Sequence, residues 1–344
     1  MTVYSKIFDT FGLREWCDAG KDESPTSMAQ LLRKLAGDDG VSESASLPFP
    51  SLDVLHESCS QIAQTRDLTA GIENSFLSIR TGLKFVLDPI TQPLSWLLDG
   101  ALYTFETLPW WLLISVLVAL AWYLSRSKAV TIFVTISLLF LGVTDHYIVA
   151  MQTLAIIFVC TGLSIIIGVP IGIAMSKSDT VQKSIVPILD LLQTLPTFVY
   201  LIPLIFLFSV TESKLYGIAI ILYAVVPIIR LTDLGIRLVD KDVIEAANAF
   251  GMSSRQKLLG VELPLALPNI MAGVNQTIMM SLAMVVIASL VSAPGLGVLV
   301  LRGIRNLEIG VGLLAGFGIV LLAVILDRTT KAALERINIT HDKQ

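Results

Sequence analysis

The sequence predicts an all-α membrane protein with about seven crossing helices, and three observations carry that prediction. Of its 344 residues, 54% are hydrophobic and only 15% charged, whereas soluble domains carry roughly a quarter charged residues. Seven apolar stretches follow one another from Pro109 onward, several of them near the ~20 residues that cross a bilayer as a helix. Basic residues gather in alternate connections between those stretches, as they do in cytoplasmic loops.

The chain opens with an acidic tail, residues 1–80. Residues 1–108 hold eight basic and fifteen acidic residues, a net of −7, so the remainder of a chain with net charge −4 carries +3. Residues 1–24 have no basic start followed by an apolar run, so no secretory signal peptide is predicted there. Met28 to Leu35 is a short helix at most, and Gly37 to Ser51 is rich in Ser, Pro, Gly and Asp, a composition that needs no packed structure. The pattern is loosely amphipathic from Leu52 to Arg80. It becomes clearly so over residues 81–108, where Phe85, Trp96, Leu97, Tyr103 and Phe105 stand among acids and Pro89 and Pro93 interrupt. That density of Trp and Tyr before a first span suits a helix lying in the membrane interface; a packed helix of the tail is the alternative.

The predicted spans are Pro109–Leu124, Val130–Val143, Tyr147–Met175, Val186–Phe208, Leu215–Ile229, Pro268–Ser292 and Ile309–Leu326. The first two form a peripheral pair within residues 109–143, and residues 144–330 make up the core. Seven crossings put the two ends on opposite sides. Arg126 and Lys128 follow the first span, Lys177 and Lys183 the third, Arg230, Arg237, Lys241, Arg255 and Lys257 the fifth, and Arg328, Lys331, Arg336 and Lys343 the seventh. The other connections carry few basic residues. The C-terminal tail, residues 331–344, is therefore expected in the cytoplasm and the acidic N-terminal tail outside.

A polar interlude, residues 240–264, separates the fifth and sixth spans. Val243, Ile244, Ala247 and Phe250 recur at roughly helical spacing around Glu245, Ala246 and Ala247, all good or fair helix formers. Gly251 permits the chain to leave that helix and turn. Ser253 and Ser254 are suited to cap a second helix bearing Arg255 and Lys257. Leu263 and Pro264 read as its stop, with Pro268 following.

Glu-Ala-Ala, then Gly251, then Val261, Leu263 and Pro264 at this spacing resemble the EAA loop of bacterial ABC importer permeases. Val261 stands where isoleucine is commoner. More widely, residues from about Gln152 to Arg328 resemble the permease subunit of the glycine betaine/proline betaine importers. The segments carrying that likeness are LDLLQTLPTFVYLIP, PIIRLTDLGI, LPNIMAGVNQT and MVVIASLVSAPGLG. The resemblance implies a type I ABC importer transmembrane fold in a bacterial inner membrane. It also implies a coupling helix that docks on a separate ATPase subunit, a periplasmic substrate-binding protein, and a homodimer of the permease. ATP and Mg would act on the partner ATPase, with no cofactor in this chain and no nucleic-acid partner.

Polar side chains at membrane depth are costly unless they face a partner or a wet pathway. Asp190, Gln193 and Thr194 in the fourth span are therefore candidate pathway residues, as are Asn275 and Gln276, with Thr277, at the start of the sixth. Helix packing is the plainer role for each of them. Pro187, Pro196 and Pro203 should kink the fourth span. Gly162, Gly168, Gly172, Gly310, Gly312, Gly316 and Gly318 suit close helix contacts. Cys17, Cys59 and Cys160 have no CxxC spacing, and three scattered histidines offer no metal constellation. There is no GxxxxGK[ST] phosphate loop and no nucleophile–base cluster, which argues against an enzyme. A secondary transporter or channel would share the spans but leave the EAA spacing unexplained. A membrane-anchored scaffold would leave the proline-rich fourth span unexplained. Choline, carnitine and trimethylamine N-oxide are substrate alternatives within the importer class.

Overall fold

A computed structural model describes residues 3–13, 17, 59 and 65–341, and among them no strand occurs. The chain divides into two compact units, residues 1–81 and 82–344. The first contains helix α1 (Val3–Thr10) and a disulfide between Cys17 and Cys59. The predicted helix over Met28–Leu35 lies outside the described residues. Helix α2 (Thr65–Thr107) begins in the first unit and continues without a break through Pro89 and Pro93.

In the second unit, α2 is followed at Pro109 by α3 (Trp110–Ser125), the two meeting at a bend of 112°. Pro109 holds an extended backbone, so the chain turns sharply there. From Gly82 onward α2 is two-faced. Leu94 and Leu98 are buried, Leu98 against Gly217, while Phe85, Ile90, Trp96 and Tyr103 are exposed. The packed face is thus built on Leu94 and Leu98, and the aromatic residues lie on the exposed one.

Helices α4 (Lys128–Val143), α5 (Tyr147–Lys177) and α6 (Asp179–Thr194) come next, then α7 (Leu201–Leu207) and α8 (Ser213–Arg237). Among the described residues, four runs are long and apolar enough to cross a membrane unaided: Tyr147–Lys177, Ser213–Arg237, Ser254–Val291 and Ile309–Ala333. The α2–α3 pair meets the same test only when taken together. At 16 residues, α4 spans about 24 Å, short of the ~30 Å hydrocarbon core.

The predicted fourth span is not one helix. It is α6 and α7, separated by an extended Leu195 and a turn through Tyr200. Pro196 is the cause, since a residue preceding proline is driven out of helical backbone. Pro203 is tolerated because it falls in the first turn of α7, where no helical partner is required.

Helices α5 and α8 pack together with α11 (Leu263–Ala288) to form the centre of the unit. Their approach is close where side chains vanish. A Cβ on Gly168 would lie 2.3 Å from Ile228, and one on Gly172 would lie 2.7 Å from the Ile229 carbonyl. Gly162, Gly310 and Gly316 have no such neighbour within 4 Å, so only part of the glycine set serves contact. Helix α12 (Leu296–Asn306) then folds back on α13 (Ile309–His341), with Gly303 against Gly312. Where α11 gives way to α12, the N–H of Leu296 donates to Thr153 Oγ1 at 2.9 Å.

Candidate coupling loop and transport face

The 240–264 segment stands out from the bundle as two short capped helices. Asp240 caps α9 (Lys241–Ala249), its carboxylate accepting from the Asp242 N–H at 2.9 Å. Gly251 follows at φ +72°, the left-handed backbone that ends helices, and a Cβ there would meet nothing within 4 Å. The constraint at Gly251 is therefore conformational and not one of space. Ser253 and Gln256 then form a reciprocal capping box at the start of α10 (Ser254–Lys257), satisfying two donors that a helix start leaves orphaned. Lys257 Nζ donates to Asn248 Oδ1 at 3.0 Å and so ties the second helix back to the first.

Glu245 and Ala246 are exposed, whereas Ala247 is buried. Phe250 is 87% exposed, and Val243 and Met252 of the same segment are also exposed. Large hydrophobes gathered on a polar loop are the kind of surface that contacts another protein.

The Leu263-Pro264 pair is not a stop. A π turn, Leu258–Glu262, follows α10 directly and leads into α11, with Pro264 in its first turn. The N–H of Leu263 reaches back five residues to the Leu258 carbonyl. The wider turn precedes a residue that cannot donate, so the chain re-enters the bundle as one continuous run, Ser254–Val291. Val261 is half-buried within the π turn, and Pro268 lies inside α11.

Asp190, Gln193 and Thr194 are exposed near the end of α6, close to its break. Asp190 forms an ion pair with Arg230 of α8. Arg230 is thus a residue within a helix, not the first basic residue of a loop, and it supplies the charge partner that hydropathy gives no means of finding. Asn275 donates to Asp327 of α13 at 3.0 Å, a helix-to-helix contact, while its neighbour Gln276 is exposed and Thr277 buried. The candidate polar residues do not converge within this chain.

At the opposite end of the bundle, Lys214 is buried between Asp88 at 2.7 Å and Glu212 at 2.8 Å. Asp99 accepts a hydrogen bond from Ser213. Together these contacts fasten the later part of α2 to the start of α8. After α12, Glu308 is held below its ordinary pKa chiefly by the Asn306 amide and then by Arg302. No cluster of His, Cys, Asp and Glu able to hold a metal occurs among the described residues.

Residues 164–338, half of the chain, match the binding-protein-dependent transport system inner membrane component family. The chain belongs to this family. It is thus a permease component of an ABC importer, with an all-helical membrane fold. It is similar to the glycine betaine/proline betaine transport system permease protein ProW of Escherichia coli, 43% identical over 73% of this chain and 71% of that protein. The glycine betaine transport system permease protein OpuAB of Bacillus subtilis is 42% identical over 71% of this chain and 86% of its own length. The trimethylamine N-oxide transport system permease protein TmoV of Pelagibacter ubique is 36% identical over 65% of this chain and 31% of its own length. The fold resembles the inward-facing MetNI methionine ABC transporter, with TM-score 0.50 and 20% identity over 55% of this chain and 94% of that one.

Proposed function

We propose that this permease is a half-channel that pairs with a second copy of itself and imports glycine betaine, proline betaine or a related quaternary amine. ATP and Mg act on a separate ATPase subunit, and a periplasmic protein delivers the substrate. The observation that carries the reading is the 240–264 loop: it is capped, projects from the bundle, and carries an exposed Glu245 and Phe250. The substrate class rests on the names of the relatives. Choline, carnitine and trimethylamine N-oxide stay within the same chemistry. In this reading Asp190, Gln193, Thr194 and Gln276 border the pathway, since their exposed positions are available to a facing copy.

The loop and the C-terminal tail are cytoplasmic and the N-terminal tail periplasmic. Two observations support that orientation independently: the basic residues of alternate connections, and the Cys17–Cys59 disulfide, which persists on an oxidising side of the membrane. Residues 81–108 form the interfacial part, residues 109–143 the peripheral helices and residues 144–330 the core. The mechanism is a rigid-body switch between two packings, driven when the ATPase pair closes and moves the loop.

The test is to purify the assembled complex carrying Phe250→Asp or Glu245→Arg, measuring the ATPase bound per permease and the hydrolysis stimulated by substrate-loaded binding protein. Normal membrane insertion with loss of bound ATPase, or of stimulation, is expected, because charge reversal or a charge in an apolar contact costs a few kcal/mol at an interface. Wild-type values for both variants would sink the proposal.

A further inference from the structure

We propose that the corner between α5 and α6, residues Met175 to Asp179, is the element that takes up the motion of the coupling loop; this rests on the importer reading above. The loop leaves the bundle at Arg237 and returns at Glu262, and both stems are fastened to this corner. Arg237 at the end of α8 donates to the Met175 carbonyl at 2.8 Å and pairs with Asp179, also at 2.8 Å. Its Nε holds Asp233, one turn back, at 2.9 Å, and Gln182 of α6 donates to the other oxygen of Asp233 at 2.7 Å. On the returning stem, Glu262 forms an ion pair with Lys177, the last residue of α5.

The two fastenings differ in character, and the second is the stronger constraint. The Glu262 side chain is only 6% exposed, and a carboxylate so enclosed is costly without its cation. It also terminates the π turn, a local irregularity that occurs frequently at functional positions. Within the loop itself, the Lys257–Asn248 contact joins the two short helices into one piece. A push on Phe250 or Glu245 therefore reaches α5 and α6 through side-chain ties as well as along the backbone.

What the corner carries makes the ties consequential. Helix α6 starts there, with Ser178 accepting from the Val181 N–H, and runs to the break at Leu195 beside Asp190, Gln193 and Thr194. Displacement of the corner thus displaces the segment that bears the proposed pathway residues, with Asp190–Arg230 linking it to α8. Lys177, Glu262 and Arg237 act as positioning residues, through their contacts with one another and with the corner.

The test compares Glu262→Lys, Lys177→Glu, the double charge exchange, and Arg237→Ala in the whole complex reconstituted in vesicles. The readouts are ATPase bound per permease, hydrolysis stimulated by substrate-loaded binding protein, and substrate imported per ATP. The singles are expected to keep their ATPase yet import about tenfold less substrate per ATP, with the exchange restoring import to within about twofold, as a direct pairwise coupling requires. Wild-type import per ATP in the singles would overturn the proposal. So would loss of bound ATPase in the singles, or failure of the exchange to restore import, since either marks the pair as a structural staple. Failure of the importer reading looks different: the unmutated complex would then show no ATP-dependent import.

Discussion

Two glycines one face apart on α5 separate packing from helix propensity. Replacing Gly172 by Ala puts a Cβ 2.6 Å from Thr232 Cβ and 2.7 Å from the Ile229 carbonyl oxygen. Neither atom can rotate away, so α5 and α8 must part by about 0.8 Å to bring the shorter contact to the 3.4 Å of ordinary packing. A gap of about 0.5–1 Å forfeits a quarter to a half of each dispersion contact along the seam. Overpacking of this kind costs about 1–3 kcal/mol, and the immobility of both neighbours puts Gly172→Ala near the upper end. Gly162→Ala, on the same helix, meets nothing within 4 Å. Both changes gain the same helix propensity, up to about 1 kcal/mol, which cancels in the comparison. At about 2–4 °C per kcal/mol for a unit of this size, the melting temperatures of the two purified variants should differ by about 6–12 °C, Gly172→Ala being the lower. Thermal unfolding in one detergent, followed by intrinsic fluorescence, reads this directly. Coincident melting curves would refute the claim that α5 and α8 touch at backbone distance here.

At Gly251, with φ +72° and open space around it, Asn should be tolerated. Ala should lose about 1–2 kcal/mol of turn stability, and β-branched Val should lose most ATPase binding; equal binding in all three would remove the backbone requirement. Thr153→Val leaves the buried Leu296 N–H without its acceptor, a loss of about 1–3 kcal/mol, so it should melt lower than wild type while Thr153→Ser stays close to it. Indistinguishable melting of Val and Ser variants would mean that this hydrogen bond holds nothing.

The helical class, the long runs of α5, α8, α11 and α13, and the position of the loop helices were legible because each rests on local pattern. Apolar length marks a span, and Gly251 with Ser253 marks a turn and a cap within four residues. Three features escaped for a common physical reason. Hydropathy averages over a window, so it joined α6 to α7 as one span, and the kink expected at Pro196 is a full break between two helices. Periodicity cannot tell a proline that stops a helix from one absorbed by a wider turn, as at Pro264. Contacts distant in the chain, such as Asp190–Arg230, Lys177–Glu262 and Cys17–Cys59, leave no trace in local composition, because either partner alone reads as an ordinary polar residue.

The distribution of polar contacts along the bundle bears on how such a unit moves. Between α5, α8 and α11 the middle is joined by close glycine contacts and apolar side chains, with one buried hydroxyl pair, Thr161 to Ser281 at 3.0 Å. Tightly packed interiors have few intermediate arrangements, so these three helices move together rather than sliding. Besides Asp190–Arg230, ion pairs tie this centre to its surroundings at two ends: Lys214 with Asp88 and Glu212 at one, Arg237 and Glu262 with the α5–α6 corner at the other. Each end set joins the rigid centre to an element outside it, α2 on one side and the loop with α6 on the other. One member of each end set is enclosed, Lys214 with a side chain 5% exposed and Glu262 with one 6% exposed, so neither gives up its partner cheaply and each passes a displacement on to the element it holds. A tightly packed middle held at both ends by enclosed ion pairs suits the coupling proposed above, in which a push on Phe250 is passed to the bundle and leaves its core packing intact.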